Sequence, residues 1–401
     1  MTGAAESGHS RRTLVVLSAS QGFYLSAMSI DLTVTALAGA SLAPSPVWST
    51  LPMAAIAIGS VLVAPMVSWL MAKLGTKPTL IAGAVTAVLG GVLSWLAMTK
   101  GIFVLLCLGT FAVGVYQSIA NYYRYIAADS RPGQEAKSVA VVLSAGVVAA
   151  IIGPIIATVT GDLLVPLYSG AYLAVAVLGL GAIATLSLLP RHCASANLVA
   201  EQDARPGQAA SVSVLDLFRR PLFSTGALLS FAGCFSMAIV MAGAPLEMEH
   251  SLHTSETMRM FGMQLHMVGM YAPMLILPLI AGRLSHCVQA IIGIVLGLIG
   301  LLVGLVGSAP AITVTLFLVG VAWAISYAIG SALLTTSYTA AERRIARGIG
   351  ELFPVSGLAV GSLLAGPLTT QVGWGFLTSA CIAVLVPAGA MVVFYRRSLL
   401  N

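Results

Sequence analysis

The chain has 401 residues, of which 58% are hydrophobic and only 8% are charged, and its formal net charge is +6. Because a soluble domain carries about a quarter charged residues, this composition excludes a water-exposed globular protein and any large domain outside a membrane. The basic residues form no stripe with interleaved aromatic residues, so the sequence does not predict nucleic acid as a partner.

Apolar segments bounded by Gly, Pro and charged residues predict two sets of six transmembrane helices, each long enough for a hydrocarbon core of roughly 30 Å. The first run follows Arg11 and Arg12 without a convincing cleavage site, so we interpret it as a mature helix and not as a secretory signal. We divide the chain into an N-terminal half at 1–190, a cytoplasmic linker at 191–222 and a C-terminal half at 223–401. The predicted spans lie near residues 13–38, 47–71, 79–98, 102–123, 138–160, 168–189, 223–245, 261–282, 290–308, 311–336, 348–370 and 372–394.

The distribution of Lys and Arg predicts the orientation, since basic residues in short loops stay on the cytoplasmic side. With the N-terminus placed inside, all of the 19 basic residues except Lys100 and Arg259 fall in cytoplasmic segments. We therefore predict a multi-pass protein of the bacterial inner membrane with both termini in the cytoplasm.

A constant offset of 213 residues indicates an internal repeat, as in carriers built from two related six-helix parts. Three matches at one offset are unexpected by chance, although a single match means little in a chain this rich in Ala, Gly and Pro. The offset places Gly153-Pro154 on Gly366-Pro367, Ala127-Ala128-Asp129 on Ala340-Ala341-Glu342, and Pro65 on Pro278.

The loop between spans two and three resembles the signature loop of the major facilitator superfamily, which reads roughly Gly-x-Leu-x-Asp-Arg-x-Gly-Arg-Arg. The resemblance implies an all-α fold of two pseudo-symmetric six-helix halves that rock about a central site. The acidic position holds Ala72 here, and its counterpart in the second half holds His286, so we expect a weaker or differently arranged contact on the cytoplasmic face. The positions of the loop are occupied by Ser68, Ala72, Lys73, Gly75, Thr76 and Lys77.

Span five is similar to the Gly-rich, Gly-Pro pattern called the antiporter signature of that family, through Gly146, Gly153 and Pro154. Small residues let helices approach closely, and Pro bends a span where neighbouring groups satisfy the freed carbonyl. The copy at Gly366 and Pro367 favours a hinge present in both halves, and an antiport-specific role stays open. We treat both Gly-Pro pairs as gating candidates.

The end of span four, residues 121–129, resembles the Tyr-Arg-Phe-Ala-Ala-Ala-Asp segment of a bacterial subfamily that we associate with riboflavin uptake. Arg124 and Asp129 in this segment are further gating candidates, because opposite charges there can pair and exchange partners. The alternative is a charge cluster at a helix end that only sets topology.

Ionisable side chains inside a membrane are functional candidates by default, and we single out Asp31, His266 and Glu351 for proton coupling. Asp31 in the outer third of span one is alternatively a helix-end carboxylate that faces the outside. Histidine side chains change charge near neutral pH, which makes His266 in span eight a candidate for proton coupling. The alternative is a neutral imidazole that only forms a hydrogen bond between helices. Glu351 is alternatively half of an i, i+4 pair with Arg347.

Polar and aromatic residues on spans one, four and ten are our candidates for binding the substrate, since these spans line the cavity in the family. Aromatic rings and amides suit a flat, largely uncharged heteroaromatic solute, whereas the alternative is packing or an interfacial belt. No Lys or Arg lies deep in a span, which argues against a strongly ionic substrate. The candidates are Gln21, Tyr24, Gln117, Asn121, Trp323 and Tyr327.

Together these features predict a proton-coupled secondary transporter that takes up a vitamin-like solute, with export of drugs or amphipathic metabolites as the alternative. We predict no catalysis, no cofactor and no metal site, and we expect a monomer in the lipid bilayer with a small molecule and the proton as its ligands. A channel is disfavoured because no filter segment repeats along the chain.

Overall fold

A computed structural model of the chain describes residues 2–131, 135–190, 213–280, 283–339 and 342–396. Within these ranges, twelve helical segments are long and apolar enough to cross a membrane. This agrees with the predicted number of spans and confirms an all-α membrane protein. The described residues divide into two compact units.

The first unit comprises Met1–Pro44 and Leu51–Ala204. Its first helix, α1, packs mainly against α6 and α7, while α4 packs against α2 and α3. The helices are α1 (Thr2–Leu42), α2 (Leu51–Leu74), α3 (Thr76–Lys100), α4 (Phe103–Ala120), α5 (Tyr123–Asp129), α6 (Glu135–Gly161) and α7 (Ser169–Ser187).

The second unit comprises Ser45–Thr50 and Arg205–Asn401. Here the first long helix, α9, packs against α12, α13 and α14, so it occupies the place that α1 has in the first unit. The elements are a 3-10 turn (Pro46–Trp48), α8 (Val214–Phe218), α9 (Pro221–His250), α10 (Glu256–Ile280), α11 (His286–Gly304), α12 (Ala309–Thr336), α13 (Arg343–Pro367), a π-helical turn (Leu368–Val372) and α14 (Trp374–Phe394).

Three predicted boundaries are wrong, and each error has a local cause. α1 begins at Thr2 and not near residue 13, because its polar first turns continue the helix without forming part of the apolar run. Span four is broken at Asn121 and Tyr122, where a turn separates α4 from α5. α9 extends to His250 although Pro245 lies inside it, so the expected outer loop begins only after Glu247 and Glu249.

Cationic side chains tie helix ends together within each unit. Lys77, at the start of α3, donates to the carbonyl oxygens of Ser187 (2.5 Å) and Leu189 (2.8 Å) at the end of α7. A cation at a helix C-terminus meets carbonyls that have no partner in the helix, so this contact is favourable. In the degenerate signature loop, Lys77 thus contacts main-chain oxygens of its own unit.

Candidate functional site

Asp31 lies on α1 with its side chain fully buried. Thr35, one turn later, donates a hydrogen bond to Asp31 Oδ1 at 3.4 Å, and the Tyr172 hydroxyl of α7 donates to Thr35 Oγ1 at 3.2 Å. No side chain that the structure describes hydrogen-bonds to Asp31 Oδ2. Complete burial does not fit the alternative of an exposed helix-end carboxylate. A buried carboxyl with one weak partner is a suitable group to bind and release a proton.

Gly153 of the Gly153–Pro154 pair in α6 packs against α1 at Ser29. A Cβ atom on Gly153 would lie 2.3 Å from Ser29 Cβ, so only glycine lets α6 approach α1 this closely. Ser29 lies two residues before Asp31. The pair therefore fixes the distance between α6 and the part of α1 that holds the carboxyl.

Gly366 of the matching pair has a different neighbour. Its N–H donates to Thr50 Oγ1 at 3.1 Å, and a Cβ there would lie 2.7 Å from Ser49 Oγ. The two Gly-Pro pairs share sequence spacing but pack against unlike partners, and Pro367 ends α13 whereas Pro154 lies inside α6.

Aromatic and amide candidates of the first unit gather where α1 crosses α4. The ring of Tyr24 meets the buried ring of Tyr116 edge-on, with centroids 5.3 Å apart. Gln21 lies buried one turn before Tyr24, and Gln117 is half-buried. Asn121 is exposed at the end of α4, where its N–H donates to the Gln117 carbonyl oxygen at 3.1 Å.

The candidates of the second unit form a stacked pair on α12. The rings of Trp323 and Tyr327 are nearly parallel, at 8°, with centroids 5.5 Å apart, and both side chains are half-buried. The indole Nε1 of Trp323 donates to Cys234 Sγ of α9 at 3.2 Å, which fixes the orientation of the indole. This contact is not predictable from the sequence, because nothing local indicates that Cys234 faces Trp323.

His266 is fully buried in α10, and its Nδ1 lies 2.6 Å from the Leu316 carbonyl oxygen of α12. A carbonyl only accepts, so Nδ1 carries the proton of this hydrogen bond. No described residue hydrogen-bonds to Nε2. The contact supports a role in holding α10 to α12. The side chain of Glu351, the third coupling candidate, lies outside the described residues, as does that of Arg347.

Arg124 of α5 lies against the next residue in the chain. Its Nη2 donates to the Tyr125 hydroxyl at 3.2 Å, and the guanidinium carbon lies 4.9 Å from the ring centroid. Asp129 is the last residue of the same short helix. The aromatic contact of Arg124 was not predicted from the sequence.

Glu342 is the counterpart of Asp129 in the second unit. It forms a bidentate ion pair with Arg220, the residue that precedes α9. Arg220 Nη2 and Nη1 donate to Glu342 Oε1 and Oε2 at 2.7 and 2.9 Å, and Nη1 also donates to the Ser337 carbonyl oxygen. These hydrogen bonds, with another from the Thr339 backbone N–H, lower the pKa of Glu342 to about 2. The same partner raises the pKa of Arg220. The pair joins the start of α9 to the end of α12 and the start of α13.

Two units of long apolar helices, with buried polar side chains on α1 of the first and a stacked aromatic pair on α12 of the second, define a polytopic membrane protein. The sequence profile of the Major Facilitator Superfamily matches residues 15–247, which is more than half of the chain. The chain belongs to this superfamily.

Individual relatives extend the match to nearly the full length. The chain is 27% identical over 386 residues to the riboflavin transporter RfnT of Brucella anthropi, covering 94% of this chain and 95% of that protein. It is 25% identical over 365 residues to the uncharacterized MFS-type transporter YdeG of Bacillus subtilis, covering 88% and 85%. The crystal structure of the human organic anion transporter MFSD10 superimposes with a TM-score of 0.64 at 16% identity, covering 96% of this chain and 99% of that one, so this likeness shows the fold alone.

Proposed function

We propose that the protein is a secondary active carrier that takes up a small, neutral or weakly charged heteroaromatic solute, such as riboflavin, by alternating access. In this proposal it lies in the bacterial inner membrane as a monomer with both termini and the 191–222 linker in the cytoplasm. Support for the substrate class comes from the riboflavin transporter that matches along nearly the whole chain.

The stacked pair of Trp323 and Tyr327 carries the proposal. A flat conjugated ring gains affinity by stacking on an aromatic face. The hydrogen bond to Cys234 fixes the orientation of the Trp323 indole, so its ring need not reorient when a solute stacks on it. Gln21, Gln117 and Asn121 supply amide groups that can orient the polar edge of such a ring. Tyr24 completes this set in the first unit.

Proton coupling is assigned to Asp31, with His266 and Glu351 as further candidates. Asp31 combines full burial with an oxygen that has no described hydrogen-bond partner. We assign gating to Arg124, Asp129 and the two Gly-Pro pairs.

The test is counterflow in liposomes that contain the purified protein and are preloaded with unlabelled riboflavin. We expect saturable entry of labelled riboflavin. Replacing Trp323 with Leu should raise KM roughly tenfold, because an aromatic stacking partner contributes about 1–3 kcal/mol per ring. The matched control is Trp69→Leu, since Trp69 is exposed on α2 beside Lys73 and should leave KM unchanged.

Export of amphipathic compounds in exchange for protons is the second candidate, favoured by the antiporter-like Gly146, Gly153 and Pro154. Saturable extrusion of a cationic dye with no riboflavin counterflow would select export and reject the vitamin proposal.

A further inference from the structure

An apolar groove of about 450 Å³ lies in the second unit, and none of the residues that line it is assigned above to transport. Its volume falls within the range of about 300–1,000 Å³ that is common for ligand pockets. α9 forms its floor through Ala227, Leu228 and Phe231, and α13 and α14 form its sides through Phe353 and Met391.

The groove lies where α13 and α14 both pack against α9, and the π-helical turn Leu368–Val372 joins α13 to α14 at their far ends. Phe353 lies near the start of the apolar span Leu352–Val372, and Met391 lies near the end of α14. The groove therefore opens at the ends of these helices that we predict to face the cytoplasm.

Aromatic rings line the same end of the groove. The ring of Phe218, in the short helix α8, lies 5.5 Å from that of Phe353 and 5.2 Å from that of Phe223. On the same short helix, Val214 and Leu215 are 53% and 60% exposed. Exposed apolar residues beside the first turn of a membrane helix suit the boundary between headgroups and acyl chains.

The hydroxyl groups that line the groove are already satisfied by their own helices. Ser224 donates to the Arg220 carbonyl oxygen, and Ser356 donates to that of Phe353. No other lining residue has a polar side chain. A polar solute would find nothing to orient it here, whereas a hydrocarbon chain matches the walls.

Two exposed arginines lie close in the sequence to residues that line the groove. Arg219 directly follows Phe218 and its side chain is 71% exposed, and Arg396 follows Met391 by five residues and is also exposed. Arg219 has a contact with Asp216 at 3.5 Å, which leaves most of its five N–H donors for another acceptor. Cations at this depth favour an anionic headgroup.

We propose that this groove is a binding site for an anionic phospholipid, with one acyl chain between α13 and α14 and the phosphate at Arg219 and Arg396. The lipid belongs to the leaflet at the predicted cytoplasmic side. It supports the α9–α13–α14 packing and is not transported.

Native mass spectrometry of the full chain tests this proposal, with dioleoyl phosphatidylglycerol and dioleoyl phosphatidylcholine as the two probes. We expect one tightly held phosphatidylglycerol and weaker binding of phosphatidylcholine. Ser356→Phe fills the groove from its rim and should remove that lipid. Ser379→Phe, at an exposed position on α14 outside the groove, is the matched control and should keep it.

The headgroup contact is tested separately by R219Q and R396Q, which leave the groove walls intact. Each should weaken phosphatidylglycerol binding about fivefold and leave phosphatidylcholine unchanged. Equal binding of both lipids to the native protein, or equal retention by the two Ser variants, would overturn the proposal. A cross-link between Ser356→Cys and a cysteine placed in the linker at 191–212 would do the same, by showing that the chain itself fills the groove. If Ser356→Phe does not fold, the arginine variants still decide the question.

Discussion

At the level of single residues, the burial of Asp31 has the largest consequence for mechanism. This carboxyl has no exposed surface, and the described residues give it one hydrogen bond, of 3.4 Å, so little around it compensates a negative charge. Thr35 and Tyr172 link it to α7, so a change at the carboxyl reaches a second helix through two hydroxyl groups.

Replacing Asp31 with Asn should separate coupling from transport. The amide has the same shape but takes up no proton, so accumulation driven by a pH gradient should disappear while riboflavin counterflow persists. Liposome uptake with and without an imposed gradient measures both. Asp162→Asn is the control, because Asp162 is exposed after α6 and should leave both activities as they are. Gradient-driven accumulation by D31N would exclude Asp31 as the coupling group.

At the level of helices, packing depends on positions where only glycine fits. Replacing Gly153 with Ala should destabilise the protein by roughly 1–3 kcal/mol, the usual penalty for overpacking, since the new methyl would meet Ser29 Cβ at 2.3 Å. Thermal unfolding in detergent gives the measurement. Gly161→Ala in the same helix is the control, because its nearest neighbour is an ordinary contact at 3.6 Å. Equal melting temperatures for the two variants would refute the close approach.

The ion pair of Arg220 and Glu342 joins three helix ends. Arg220→Lys keeps the charge but not the bidentate geometry, so we expect a lower melting temperature. The control, Arg219→Lys at the neighbouring exposed position, should leave the melting temperature unchanged. A result in which both variants melt alike would mean that the pair contributes nothing measurable.

The pair also predicts a pH dependence. Its hydrogen bonds hold the pKa of Glu342 at about 2, below its usual 4.5, so the folded form binds the proton less readily than the unfolded form. The stabilisation is therefore fully present above about pH 4.5 and is lost as the pH falls toward 2. The difference in melting temperature between the native protein and Glu342→Gln should stay constant from pH 8 to pH 5 and shrink below that. A difference that already shrinks between pH 8 and pH 5 would contradict this origin.

At the level of the whole molecule, the number and order of the spans follow from sequence because apolar length and charge are local properties. Contacts between residues that are far apart along the chain do not follow from local patterns. Thr35 and Tyr172 are 137 residues apart, and Arg220 and Glu342 are 122 apart. Likewise, the partner of His266 is a main-chain oxygen, which no side-chain pattern reveals.

Orientation is the whole-molecule property that the charge distribution predicts. In a variant without its native cysteines, a cysteine at Ser251 after α9 should react with a membrane-impermeant maleimide on intact cells. A cysteine at Ser213 before α8 should react only after permeabilisation, and both positions are exposed. The reverse pattern would invert the proposed topology.

The anchorage of Arg220 also has a use in engineering. Arg220 fixes the start of α9 to its own unit. We therefore expect the ion pair with Glu342 to bear any tension in the preceding chain, so that α9 is not displaced. A protease site or a fluorescent reporter inserted between residues 191 and 212 should therefore leave uptake intact. The same insertion in an Arg220→Ala background should impair uptake, because α9 would then no longer be held in place when the linker is under tension.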